Sequence, residues 1–312
     1  MLQKITFFLF FLSLSSLIYG DYHIHKYLKP CPDKNSVKTI EGVDFIYMIN
    51  LDERPEKFAE SLKALQDYNI NPYRFSAVNG WDFPIEQVAK LGIIFEDGMK
   101  IGLKGTFYIP EKKGKETHDI IHEIGKPYFT HQFSRGALGC CLSHLSVLKD
   151  AIDSGYETIW VMEDDIDIKN DPHILSRYIN DLDVIYGKDN WDILFTDPDT
   201  KNKRNEYVPC YSCAPRPNFT PKNPKRFQQR RNINIDLRQI GARYGTYSMI
   251  IRRSGMKKIY NFINDYGIFL PIDMEIPLPN DIKLFATKKE IVSHKTNAAT
   301  DNSCPFYKNK KQ

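Results

Sequence analysis

The absences in this 312-residue sequence narrow it before any motif does. Charge of one sign is scarce in net terms: 43 Lys+Arg against 39 Asp+Glu leave +4. No aromatic-and-basic motif of an RNA-binding module accompanies that balance, so it gives no argument for a nucleic-acid partner. No internal repeat is evident. Hydrophobic residues at 42% and charged residues at 26% exclude a collagen, a mucin or a wholly disordered chain. The N-terminal apolar run, Ile5-Thr6-Phe7-Phe8-Leu9-Phe10-Phe11-Leu12, falls short of the about 20 residues that a membrane span needs. Cys210-Tyr-Ser-Cys213 has no second CxxC, which weakens a zinc reading, and no thioredoxin-like context, which weakens a redox one. Glycines at 136 and 139 do not complete a dinucleotide fingerprint.

What remains suits a sizeable core in one large domain or two small ones. The 13% aromatic content fits a protein that holds a flat or ring-shaped ligand, although large cores also use aromatics. Residues 1–20 combine one cation, Lys4, a short apolar middle and a small residue before Asp21. That pattern predicts a secretory signal peptide, with an uncleaved anchor and a buried helix as the competing readings. Export would place the chain in a secretory lumen or a periplasm, membrane-anchored if the segment is retained. Six cysteines in an exported chain permit disulfides. Cys140 and Cys141 sit in a helical apolar pattern, where buried thiols are expected.

Beyond a linker over 21–42, residues 44–50 form a strand buried on both faces. Pro55 suits the first helical position, and Phe58, Leu62 and Leu65 extend a helix to about residue 68. Residues 73–78 read as a second strand, completing a β-α-β unit. Residues 96–131 are polar and Gly-rich and carry no clear period. Ser134 is expected to cap a helix with Leu138, Cys141, Leu142, Leu145, Leu148 and Ile152 on one face, stopped by Gly155. A buried strand over 157–162 runs directly into Glu163-Asp164-Asp165-Ile166-Asp167. A helix over 172–185, strands over 191–195 and 247–251, and a helix capped by Ser254 and stopped by Gly267 follow. Alternating strands and helices indicate an α/β fold. Residues 201–243 stand apart as a basic, Pro-rich insertion: eleven Lys+Arg against two acids, with five prolines. The remainder of the chain is therefore acidic in net terms.

Glu163-Asp164-Asp165 is the most informative feature. In α/β sheets ligands bind beyond the carboxyl ends of strands. If the strand stays extended, Glu163, Asp165 and Asp167 share one face and Asp164 points away. Crowded carboxylates are tolerable around a Mg²⁺ or Mn²⁺ ion, which takes hard oxygen ligands and bridges to diphosphates; a solvated acidic turn is the plainer reading. Asn50-Leu51-Asp52-Glu53-Arg54-Pro55 ends the first strand. Arg54 suits a phosphate and Asn50 or Asp52 a ribose or base, while Asp52 also suits a helix entry. In Gly136-Ala-Leu-Gly139-Cys140-Cys-Leu-Ser143-His144, the glycines permit close backbone approach to a ligand. Ser143 and His144 reach the site or pack. Adjacent helix positions diverge by about 100°, which disfavours a Ser-His hydrolase.

Together these segments, with Phe75-Ser76-Ala77-Val78-Asn79-Gly80, Trp191-Asp192-Ile193, Tyr244-Gly245-Thr246-Tyr247 and Pro271-Ile272-Asp273, resemble glycosyltransferase family 25. That family includes bacterial lipooligosaccharide and animal collagen galactosyltransferases. The resemblance implies a GT-A-like mixed, mainly parallel sheet flanked by helices, in a single catalytic domain over 43–300 with a basic tail at 301–312. It implies a UDP-sugar donor, Mn²⁺ (or Mg²⁺), inversion at the anomeric carbon and a glycan or protein acceptor. Glu163 and Asp165 then hold metal and diphosphate. Asn50, Asp52, Arg54, Gly139, Ser143 and His144 line the nucleotide. Asp273 is the expected general base, with Asp192 as an alternative acceptor or sugar contact, and His294 reaches the metal or sits at the surface. The basic insertion has no family motif. It motivates an alternative: an inactive module that docks anionic glycan or a membrane surface. A metal-dependent phosphate-ester hydrolase ranks behind both.

Overall fold

The computed structural model describes residues 22, 24–35, 38–109, 115–202, 204–296 and 298–309. The expected signal peptide lies outside the described residues. No helix among the described residues is long and apolar enough to cross a membrane.

The expected β-α-β unit consists of β1 (Phe45–Asn50), α1 (Pro55–Gln66) and β2 (Tyr73–Ser76). Then come α2 (Ile85–Leu91), β3 (Ile93–Ile94), β4 (Lys104–Ile109), β5 (Lys115–Ile120) and β6 (Pro127–Thr130). The stretch without a clear period thus supplies most of a four-stranded sheet, ordered β3-β6-β4-β5. Its period is faint because β5 is solvent-exposed along nearly its whole length while β4 is buried along most of its own. Helix α3 (Arg135–Asp153) starts where Ser134 accepts a 3.0 Å bond from the Ala137 N–H. Next are β7 (Thr158–Glu163), β8 (Ile166–Ile168), α4 (Ile174–Tyr186) and β9 (Ile193–Phe195). The chain then forms β10 (Arg230–Asn232), β11 (Leu237–Ile240), β12 (Ser248–Arg252) and α5 (Arg253–Tyr266). It finishes with α6 (Ile272–Glu275), β13 (Leu284–Thr287), β14 (Val292–His294) and α7 (Phe306–Asn309).

The main sheet has eight strands in the order β10-β11-β13-β9-β12-β7-β1-β2. Six of the eight point one way, and β11 and β12 run against them. It is a mixed sheet flanked by helices, as a GT-A-like fold requires. Strand alternation divides the core into two layers. Phe45, Tyr47, Ile49, Ile159 and Val161 pack with α3 and α5 residues such as Leu142, Leu145 and Ile263. Ile46, Met48, Trp160 and Met162 pack with Leu65, Leu175, Ile179 and Leu182 of α1 and α4.

Three expectations need correction. The basic segment is not a plain insertion, because β10 and β11 within it extend the main sheet at one edge. Ser254 does not cap α5: the helix begins one residue earlier, and the Ser254 hydroxyl donates to Asp192 Oδ1 at 2.6 Å. Extended geometry does not persist past Glu163, since Asp164 and Asp165 form a turn before β8. The turn has a cause in pairing. β8 leaves the main sheet to pair with β14, where His294 stands opposite Ile166.

Candidate functional site

The carboxyl ends of β1, β2 and β7 lie at one edge of the sheet. Because β12 is antiparallel to β7, its entry, Gly245-Thr246-Tyr247, lies at the same edge. Glu163 follows the parity of Ile159 and Val161, so it faces α3. There His144 Nε2 lies 3.3 Å from its Oε1, and the Thr246 hydroxyl donates to the same oxygen at 2.5 Å. Burial acts to raise the Glu163 carboxyl, but the His144 ring, the Thr246 hydroxyl and the Lys57 charge together hold it below the usual range. Asp164 and Asp165 behave oppositely. Burial pushes Asp164 up to about 6, against the pull of Lys57 and the Asn50 amide. Burial and then the Glu163 charge raise Asp165. Lys57 Nζ stands 3.7 Å from Asp164 and 3.6 Å from Asp165, one ammonium beside crowded carboxylates.

Asp273 comes from α6. It is raised by burial and accepts a 2.9 Å bond from the Gly245 N–H. Gly245 has φ +79°, and a Cβ there would meet the Tyr247 ring at 2.2 Å. His294 stacks on Tyr247 with centroids 4.1 Å apart, and burial lowers its pKa.

Two adjoining hollows meet at the carboxylates. The smaller, about 100 Å³, is lined by Lys57, Asn79, Trp81, Ser143 and His144; the larger, about 400 Å³, by Tyr247, Asp273 and His294. Cys140, Glu163 and Asp165 line both. The structure therefore brings together Glu163, Asp165, His144, Ser143 and Asp273, and His294 with them.

Other expected residues are placed differently. Asn50 is buried and holds the site from behind: its amide donates to Asp164 Oδ2 at 2.7 Å and to the Arg54 carbonyl at 2.8 Å. Asp52 is bound to the Ser76 hydroxyl at 2.6 Å and to Arg74 at 2.8 Å. Arg54 does not present its guanidinium to the hollows. It is 4% exposed and paired with Glu56 and with Asp301 of the C-terminal segment. Gly139 serves close backbone packing, since a Cβ would meet the Val78 carbonyl at 2.5 Å. Ser143 ties the same loop to α3 by accepting from the Val78 N–H at 2.8 Å. Asp192 is corrected outright. β9 runs parallel to β7, so Asp192, just before β9, lies at the opposite edge of the sheet. It is 1% exposed and consumed by Ser254, Lys258 and the Lys283 N–H.

Sequence reasoning missed Thr246, Trp81 and Cys140, and the wall formed by residues 300–302. Trp81 donates its indole N–H to the Asp301 carbonyl at 2.7 Å, and Ser134 donates to the Asn302 carbonyl. Cys140 was legible in part: it precedes His144 by four residues, which puts both on one helix face. All six cysteines are free. Cys141 is buried as expected, but Cys140 is half-buried and opens on the hollows. The ligand atoms of Cys140, His144 and Glu163 lie within 4.8 Å of one another, so this group can hold a metal ion.

Residues 43–276 match the family model of glycosyltransferase family 25 (LPS biosynthesis protein). Human procollagen galactosyltransferase 2 is 24% identical over 238 residues, covering 76% of this chain and 30% of that protein. Mouse inactive glycosyltransferase 25 family member 3 is 26% identical over 155 residues, 49% of this chain and 22% of that protein. A glycosyltransferase 25 family member of Aedes aegypti is 25% identical over 154 residues, 49% of this chain and 21% of its own length. The chain spans less than a third of the length of these relatives.

Proposed function

Because the chain belongs to glycosyltransferase family 25, we propose that its cleft binds a UDP-sugar with a divalent cation and moves a hexose, galactose first among them, to a hydroxyl of a glycan or protein acceptor. One observation carries this reading: Glu163, Asp165 and Asp273 line a single hollow of about 400 Å³ at the carboxyl edge of the sheet. The residues present fit a hard dication, since the Glu163 charge raises Asp165 and a cation between them relieves that repulsion. Glu163 and Asp165 would hold Mn²⁺ or Mg²⁺. When bound, the ion offsets the charge that builds on the departing nucleoside diphosphate.

The chain's own groups do the rest. Thr246 and His144 orient Glu163. The Asn50 amide and the Ser61 hydroxyl, which donates to the Asp164 carbonyl at 2.7 Å, pin the turn. Asp273 takes the proton of the acceptor hydroxyl; burial makes it a stronger base than an exposed carboxylate. Inversion follows if that hydroxyl enters opposite the leaving group. A secretory lumen supplies nucleotide sugars for such a reaction and a periplasm does not.

Mn²⁺-dependent release of UDP from UDP-galactose by residues 21–312 tests this reading. Undiminished turnover in the double variant Glu163→Ala, Asp165→Ala overturns it.

A second reading has its own observations: the chain keeps the fold and cleft but transfers nothing, and binds an anionic glycan or membrane surface. A matched relative is named inactive, and Arg54 is occupied by Asp301 rather than open to a phosphate. Its docking surface would rest on Arg204, Lys222, Lys225 and Arg231, which are exposed within the basic segment. Salt-sensitive binding to anionic vesicles, with no turnover of any UDP-sugar, favours this reading over the first.

A further inference from the structure

We propose that the cleft contains a second, softer cation site made of Cys140, His144 and Glu163, and that this site competes with the oxygen-ligated one for the Glu163 carboxylate. Helix α3 sets Cys140 and His144 four residues apart on one face. The parity of β7 brings Glu163 to that face, with its Oε1 3.3 Å from His144 Nε2. All three ligand atoms fall within 4.8 Å of one another. Zinc takes sulfur at about 2.3 Å and nitrogen or oxygen at about 2.0–2.2 Å, so tetrahedral neighbours stand roughly 3.3–3.8 Å apart. Side-chain rotation closes the difference.

The donor set is the wrong one for a hard cation and the right one for a borderline-soft one. Thiolate and imidazole select zinc over magnesium and manganese. Three protein ligands leave a fourth position for water or substrate. Cys140 and Glu163 both line the two hollows, so an ion reaches the site from the cleft. The Thr246 hydroxyl on Glu163 Oε1 supplies an outer partner of the kind that orients metal ligands. Binding forms a metal–sulfur bond, and the Cys140 proton leaves to solvent. One carboxylate cannot serve two ions at full strength, and the resulting antagonism is reciprocal. The competition half of the proposal rests on Glu163 as the donor-side cation ligand; the existence of the site does not.

Cobalt(II) is the probe, titrated into the full chain and followed by the thiolate-to-cobalt charge-transfer band. One equivalent is expected to develop the band. Cys140→Ser and Cys140→Ala should both abolish it, and His144→Gln should weaken binding at least tenfold. The Cys210→Ser, Cys213→Ser variant should leave the band intact. Circular dichroism checks that each variant is folded. A band that survives in both Cys140 variants, or that vanishes with Cys210 and Cys213, overturns the site. Added Mn²⁺ should shift the cobalt titration to higher concentration. A Cys140-dependent band that Mn²⁺ leaves unshifted overturns the competition. Failure of the wild-type chain to bind UDP in the presence of Mn²⁺ counts against the transferase reading alone, because the cobalt band reports independently of it.

Discussion

Two regions of this molecule bury ionisable side chains, and they treat the charge in opposite ways. In and around residues 201–243, buried and half-buried arginines meet acids or carbonyls at close range. Arg216 and Glu275, both fully buried, pair at 2.5 Å. The second Arg216 nitrogen donates to the Tyr266 and Gly267 carbonyls, while Glu275 accepts from the Phe269 and Leu270 N–H groups. Arg243 pairs with Asp197 at 2.5 Å, and Arg226 donates to the carbonyls of Pro277, Leu278 and Pro279. At the end of β7, by contrast, Glu163, Asp164 and Asp165 crowd together with Lys57 at 3.6–3.7 Å. A segment whose bulk charge suggested a docking surface spends much of that charge on holding the fold. The acidic turn is only partly offset by Lys57 and His144, and Glu163 and Asp165 still line the cleft where a ligand can reach them. Charge excess in a sequence therefore says little until the partners are known.

Breaking the paired region should have the largest effect. Arg216→Ala leaves Glu275 buried without its cation, and a loss of about 3–5 kcal/mol in unfolding free energy is expected from urea titration. A loss under about 1 kcal/mol would mean that the pair is not what closes α6 against the loop after α5.

The acidic turn should behave in reverse. Asp165→Asn removes a carboxyl that burial and the Glu163 charge raise, so the urea midpoint should stay level or rise. Mn²⁺-dependent UDP affinity should fall at least tenfold, or about 1.4 kcal/mol. A large fall in stability with unchanged affinity would reverse the contrast between the regions.

The pH dependence sharpens it further. Asp164 has its folded pKa raised to about 6 from 3.8. The native state therefore holds more protons than the unfolded chain between those values. The stabilisation is full below about pH 4 and is lost as pH rises through about 6. Asp164→Asn removes this dependence, so the stability of the variant relative to wild type should grow across that window. The amount is on the order of 3 kcal/mol, read from urea midpoints without metal. A constant difference from pH 4 to 7 would refute the burial account of that carboxyl.

The smallest stability effect belongs to the exposed cations. Replacing Arg204, Lys222, Lys225 and Arg231 by alanine should change stability by no more than about 0.5 kcal/mol per site. Sedimentation with anionic vesicles then decides whether these side chains dock anything. Equal binding by the quadruple variant removes the surface reading.

Local chemistry was legible in the residues themselves. Apolar runs at β1 and β7, the helical spacing of α3 and α5, and the stops at Gly155 and Gly267 follow from burial and backbone sterics that act within a few residues. Even the facing of Glu163 toward α3 follows from strand parity once the strand is recognised. The partners of charged groups were not legible, because they depend on which strand ends lie side by side. Arg54 meets Asp301, 247 residues away, instead of a phosphate. Asp192 is one residue from a strand of the right direction but at the wrong edge, where Lys258 takes its charge. The sequence by itself determined an α/β chain with carboxylates at a strand end. Only the tertiary structure decided which of them face a cleft and which are neutralised, because Coulomb energies and desolvation depend on distances across the sheet that no local pattern encodes.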